Sequence, residues 1–248
     1  VVATARKMSD IEDYAAKWSD QVLLSELDVT DPETIKSTVA KAKEKFGRID
    51  VLVNNAGYGE MGPIEEFSDE RARRQFDVNV FGVLNVQRDV LPVMREGGGG
   101  HVLQLSSIAG LASFPMAGMY CATKHALEAI SEAMAGELEQ FNIKVTLIEP
   151  GRFKTDFAGR SIGLATPSPG AYQEQVEAYN ERMKGMDGTQ EGDPVKAAKA
   201  MIDVVESENP PLRLLLGKDA YKWSHEKLAN VMKDFSDWQE TSIGTDFD

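Results

Sequence analysis

Short apolar runs alternate with longer stretches of helical periodicity from one end of the chain to the other. The runs Val1–Ala5, Val22–Leu27, Val51–Asn54, His101–Leu105, Lys144–Glu149 and Leu212–Leu216 read as strands buried on both faces. Between and after them, Pro32–Phe46, Ser68–Arg95, Met119–Phe141, Asp193–Glu206 and Lys218–Phe235 carry the spacing of helices with one apolar face. Local chemistry agrees at several ends. Asp31 stands where an N-cap is needed and Gly47 where the helix has to stop, while Asp69 and Glu70 put carboxylates in a first turn. Strand–helix alternation of this kind predicts an α/β fold, a doubly wound parallel sheet with crossover helices on both faces.

The pattern breaks once. Ala158–Gly192 holds Gly159, Gly163, Pro167, Pro169, Gly170, Gly185, Gly188 and Gly192, with a short helical piece near Tyr172–Met183. A long irregular segment inside a compact unit reads as a lid over a binding site, with Tyr172, Tyr179, Met183 and Met186 as candidate lining. No repeat and no linker divides the chain, so residues 1–248 are expected to form one domain.

Composition narrows the class of partner. With 42% hydrophobic and 27% charged residues, the 248-residue chain can bury a sizeable core. Its formal net charge of -13 disfavours nucleic acid and anionic membranes, both of which need a basic face. The single cysteine, Cys121, excludes an internal disulfide and a cysteine-based metal site. His101, His125 and His225 lack ligand spacing, and no apolar run reaches the length of a membrane span. These features describe an acidic cytoplasmic protein, with a solvated tail at Glu240–Asp248.

Two glycine clusters are decoys. Gly57-Tyr58-Gly59-Glu60-Met61-Gly62 matches a dinucleotide fingerprint, yet Pro63–Phe67 intervenes before any helix, so no helix N-terminus faces a pyrophosphate. Gly97–Gly100 joins a helix to a strand, the wrong polarity for a phosphate cradle.

The chemistry lies elsewhere. Tyr120-Cys121-Ala122-Thr123-Lys124 places a phenol and an ammonium on one face at the start of a helix. A nearby ammonium is expected to pull the phenol towards ionisation, suiting it to trade a proton with an alcohol or ketone. Ser106-Ser107, Asn54-Asn55, Asp28 and Pro150-Gly151 all end strands, and in a parallel open sheet those ends line the ligand crevice.

Taken in order, Asp28-Val29, Asn54-Asn55-Ala56-Gly57, Asn79, Ser107, Tyr120-x-x-x-Lys124 and Pro150-Gly151…Thr155 resemble the short-chain dehydrogenase/reductase family from Val1 to about Thr155. Ile148-Glu149-Pro150-Gly151 and Thr155-Asp156-Phe157 look like its hydroxysteroid and retinol dehydrogenase-like branch. The resemblance implies a Rossmann-like fold and a small-molecule carbonyl or alcohol substrate. It makes Tyr120 the general acid or base, Lys124 its partner and a contact to the nicotinamide ribose, Ser107 the group orienting the substrate oxygen, and Asn79 the holder of a relay water. It places Asp28 with Val29 at the adenine, Asn55 with Ala56 and Gly57 on the ribose side, and Pro150, Gly151, Phe153 and Thr155 at the nicotinamide end. It also implies a homodimer or homotetramer through the long helices.

Arg6 decides the expected cofactor. The strand Val1–Ala5 ends in Arg6-Lys7, a cation where a ribose 2′-phosphate would lie, so the expectation is NADP(H). The family's glycine-rich β–turn–α unit has no counterpart in the sequence, and Val1–Ala5 corresponds to its second strand. The expectation is that a first β–turn–α unit is missing upstream. A competing reading is a non-catalytic NADP sensor or scaffold on the same fold; intact Tyr120 and Lys124 weigh against it.

Overall fold

The computed structural model of the chain describes residues 1–18 and 20–247. Its strands β1 (Val2–Ala5), β2 (Leu23–Glu26), β3 (Val51–Asn54), β5 (Gly100–Leu105), β6 (Ile143–Pro150) and β8 (Arg213–Leu216) all run parallel to their partners. A further pair, β4 (Gly59–Glu60) and β7 (Ile162–Gly163), ties the loop after β3 to the segment after β6.

The helices α1 (Glu12–Trp18), α2 (Pro32–Phe46), α3 (Asp69–Phe76), α4 (Gly82–Glu96), α5 (Gly118–Leu138), α6 (Phe157–Arg160), α7 (Gln173–Met186), α8 (Pro194–Glu206), α9 (Lys218–Asp237) and α10 (Gln239–Ile243) fill the connections and the C-terminus. The result is a Rossmann-like parallel sheet in one domain. Among the described residues no helix is long and apolar enough to cross a membrane.

The ends of α2 follow from its sequence. Asp31 accepts from the Glu33 amide at 2.9 Å, Pro32 fills a position that needs no donor, and Gly47 closes the helix at φ +78°. Adjacent residues of β5 face opposite layers. Val102 joins Ile35, Val86, Val90, Met94, Met134 and Val145 in one core, while Leu103 joins Ile148 and Val204 of α8 in the other. Fully buried Ile35 and Met94 each contribute about 1.5–3 kcal/mol to that packing.

The strand order has a break. β2–β1 form one two-stranded sheet and β3–β5–β6–β8 another. On the free edge of β3, Val51 and Val53 are 38% and 45% exposed.

Several elements differ from the sequence reading, among them the short β4, β7, α6 and α10, which it did not foresee. Ser68–Arg95 is not one uniform helix; a π turn over Asp77–Phe81 separates α3 from α4. The seven residues of α1 were invisible to periodicity because so short a segment barely spans two turns. The Gly57–Gly62 decoy opens no helix, since Gly59–Glu60 is β4.

His101 of β5 shares a hydrogen bond with Thr146 through Nε2 at 2.9 Å. Burial, with Lys144 nearby, pushes its imidazole down to about 4. The unfolded chain takes up this proton as pH falls below about 6.5, whereas the folded chain resists until about 4. Stability is therefore lost across that window as pH drops. His101→Asn is expected to lose less stability than the wild type between those pH values in urea denaturation; equal losses would remove His101 from the account.

Candidate active site

Because the strands are parallel, their carboxyl ends share one rim. β5 runs directly into Ser106 and Ser107. Ser107 caps a 3₁₀ turn over Ile108–Gly110, accepting from the Ala109 amide at 3.1 Å, and its hydroxyl lies 3.4 Å from the Pro150 carbonyl at the end of β6. α5 begins at Gly118, so Tyr120 and Lys124 occupy its first two turns on one face, both buried.

The Ser107 hydroxyl lies close enough to the Tyr120 phenol to favour its ionised form. Lys124 Nζ donates to the Leu105 carbonyl at 2.5 Å and stands 5.8 Å from the Tyr120 ring centroid. Burial pushes the phenol well above its ordinary value; the Ser107 hydroxyl acts in the opposite direction, and nearby Cys121 raises it further. Burial also pushes the Lys124 amine down to about 8, against the pull of Glu128. The expected lowering of the phenol by Lys124 is thus not what this arrangement produces. The ammonium is engaged by Leu105, and desolvation of the phenol dominates.

Asn79 sits in the π turn and is almost wholly buried. Its Oδ1 accepts from the Tyr58 amide at 3.0 Å, and its Nδ2 donates to the Tyr58 carbonyl at 2.8 Å and to Thr123 Oγ1 at 3.1 Å. The extra residue of the π turn swings this side chain across to the loop after β3. A Cβ on Gly57 would stand 3.2 Å from Asn79 Oδ1 and 3.9 Å from Lys124 Nζ, so the loop passes directly over both. Ser107, Tyr120, Lys124, Asn79 and Gly57 are gathered in one place.

The other predicted positions spread along the rim. Arg6 is exposed at the end of β1, and its charge reaches Asp28 beyond β2. Asp28 is held below its ordinary value first by the Thr30 hydroxyl at 2.7 Å, then by the Thr30 amide at 2.8 Å. Val29 packs against the main core and against Gly82, where a Cβ would lie 2.5 Å from its methyl. Asn55 and Ala56 are exposed beside Gly57.

Pro150 ends β6, and Gly151 has no room for a Cβ because Asp219 of α9 fills that space. The Phe153 ring packs against Gly192, and Thr155 is exposed with its hydroxyl accepting from the Phe157 amide at 3.3 Å.

Around Tyr120 the wall is apolar: Met61, Ala109, Ala117 and Cys121, with Phe114, Phe157, Ile162, Leu164 and Tyr179 packed on. Tyr179 and Ile162 come from the predicted lid segment. Met183 is buried in α7, whereas Tyr172 is turned to Glu65, its hydroxyl donating at 2.7 Å. Met186 contacts Arg152 through sulfur at 3.3 Å. The sequence reading missed Thr123, Glu128, Glu149 and Arg213. A signal existed for three of them: Glu128 is one turn beyond Lys124, and Glu149 and Arg213 are charges inside apolar strand runs.

A family model described as short chain dehydrogenase matches residues 1–162. The chain belongs to the short chain dehydrogenase family. This short chain dehydrogenase is an oxidoreductase by that membership. It is 39% identical to a short-chain dehydrogenase from Streptomyces avermitilis of known structure, with a TM-score of 0.90 over 100% of this chain and 89% of that one. It is 35% identical to oxidoreductase BOA17 of Botryotinia fuckeliana, over 99% of this chain and 89% of the relative. It is 34% identical to human retinol dehydrogenase 8, over 86% of this chain and 71% of the relative.

Solved neighbours of the fold hold either nicotinamide cofactor. A Thermococcus sibiricus alcohol dehydrogenase is complexed with 5-hydroxy-NADP (25% identical, 87% of this chain and 84% of that chain, TM-score 0.69), and a Burkholderia phymatum enzyme with NAD (22%, 96% and 85%, 0.77).

Proposed function

We propose that this short chain dehydrogenase uses NADP(H) to interconvert a carbonyl and an alcohol on a lipophilic small molecule. The observation that carries the reading is the buried Tyr120 phenol beside Ser107, followed one turn later by buried Lys124, at the carboxyl ends of β5 and β6.

The residues present fit a nicotinamide dinucleotide at both of its ends. Arg6 offers a cation and Asp28 a carboxylate at the β1–β2 end, suiting a phosphorylated ribose and an adenine. Exposed Asn55 and Ala56, the glycine passage at Gly57 and the amine of Lys124 suit the ribose and nicotinamide side, with Pro150, Gly151, Phe153 and Thr155 bordering it. The cofactor, when bound, supplies or accepts the hydride.

The chain's own residues handle the proton and the oxygen. Ser107 donates to the substrate oxygen as charge grows on it. Tyr120, whose proton is held firmly by burial, gives it to that oxygen in reduction and reclaims it in oxidation. Asn79 fixes the Tyr58 backbone to Thr123 and so holds the loop over Lys124. The apolar wall of Met61, Phe114, Phe157 and Leu164 excludes water and favours a hydrocarbon substrate, a preference in keeping with the resemblance to a retinol dehydrogenase. The segment 158–192 acts as the lid, contributing Ile162 and Tyr179 to that wall.

Turnover of NADPH with a panel of retinoid, steroid and fatty carbonyls tests the reading. Absence of turnover with all of them, and of the reverse reaction with their alcohols, would sink it. For the cofactor, Arg6→Ala is expected to weaken NADPH binding by about 10–100-fold, the loss of a charge-assisted contact, and to leave NADH binding unchanged. Equal or tighter binding of NADH by the wild type would overturn the NADP(H) assignment.

A further inference from the structure

Behind Lys124 lies a second buried group of charges that takes no part in the chemistry above. Glu128, one turn further along α5, is 5% exposed. It accepts from Ser106 Oγ at 2.5 Å and from Arg213 Nε at 3.1 Å. Arg213, on β8, also donates to Glu132 at 2.5 Å, and its Nε stands 3.6 Å from Glu149 Oε1. Glu149, on β6, is fully buried, and neither of its carboxylate oxygens has a hydrogen-bond partner.

Two buried carboxyl groups therefore face one guanidinium, and ionising both is costly. Glu128 takes the hydrogen bonds of Ser106 and Arg213 and Glu149 takes none, so the negative charge settles on Glu128 and the proton on Glu149. Lys124 is the nearest cation along the helix. The groups placed against it are uncharged: the Tyr120 ring and the Leu105 carbonyl.

We infer that Glu128 is a positioning residue that keeps Lys124 protonated, held as a carboxylate by Ser106 and Arg213 while Glu149 carries the proton of the pair. The inference rests on the reading of Lys124 as the cation the reaction needs. It agrees with the directions of titration. Burial pushes Glu149 up to about 8, with the charge of Glu128 adding and Arg213 opposing. Burial pushes Lys124 down, and Glu128 is the group that opposes this.

The test is an NMR pH titration of the full chain carrying [ε-¹³C]lysine, with the Lys124 resonance assigned by its loss in Lys124→Arg. Glu128→Gln is expected to lower the Lys124 pKa by at least about one unit, and Glu128→Asp, which keeps the charge, to restore most of that shift. Ser106→Ala, which removes a donor from Glu128 without altering the charge count, is expected to move Lys124 the same way by less. Glu149→Gln, isosteric with the neutral acid, is expected to move it by less than half the Glu128→Gln shift. No movement in Glu128→Gln or Ser106→Ala overturns the inference, and so does an equal shift in Glu149→Gln. The measurement reads the amine and not turnover, so an inert wild type would sink the proposed reaction while this titration still decides the role of Glu128.

Discussion

Replacing Tyr120 by phenylalanine is expected to lower kcat for carbonyl reduction by about 10²–10⁴-fold, the usual worth of a positioned general acid. The fold should be unaffected, because the ring that packs 5.7 Å from the Phe157 ring and against Met61 and Cys121 is retained. Cofactor affinity should change little for the same reason. The size of the loss follows from the site. In the proposed reaction Tyr120 is the acid beside Ser107, and its burial keeps the proton in place until a developing oxyanion would accept it. The residual rate would come from orientation and from Ser107, which keeps its contacts to the Pro150 carbonyl and the Ala109 amide. A variant retaining more than about a tenth of the wild-type kcat would show that proton transfer from Tyr120 does not limit the reaction. Steady-state turnover beside cofactor titration makes the distinction.

How much of this was legible in the chain depends on the range of the interaction. Asp31, Gly47 and the apolar runs act within a few residues, so α2 and the strands of an α/β sheet could be read directly. Tyr120 and Lys124 were legible for the same reason: one turn of helix joins them, and strand ends mark the rim they face. The π turn at Asp77–Phe81 was not legible, because a single inserted residue leaves the apolar periodicity on either side nearly intact.

The direction of the phenol's shift was misread for a different reason. Spacing shows that an ammonium is near but not that Leu105 engages it, and burial is a property of the assembled fold. The Glu128–Arg213–Glu149 cluster joins α5, β8 and β6, and only the pairing of β6 with β8 brings Glu149 to Arg213. Tyr172 looked like apolar lining because composition cannot show that its hydroxyl reaches Glu65.

Lys124 carries the second large expectation. Lys124→Met is expected to reduce kcat/KM by about a hundredfold or more, since it removes both the charge beside the phenol and the donor to the cofactor side. The pH dependence identifies the charge as the cause. Burial lowers the amine from its ordinary 10.5 to about 8, so Lys124 is a cation below that value and neutral above it. Wild-type reduction should therefore fall as pH rises through about 8. Lys124→Arg should be slower overall but free of that alkaline fall, because a guanidinium does not lose its proton in this range. Glu149 is also held near about 8, so a fall at this pH could belong to either group. The two assignments predict opposite behaviour. If the limb follows Lys124, it vanishes in Lys124→Arg and persists in Glu149→Gln; if it follows Glu149, it persists in the first and vanishes in the second. Rate profiles of the three proteins across the neutral to alkaline range decide which proton the enzyme must keep.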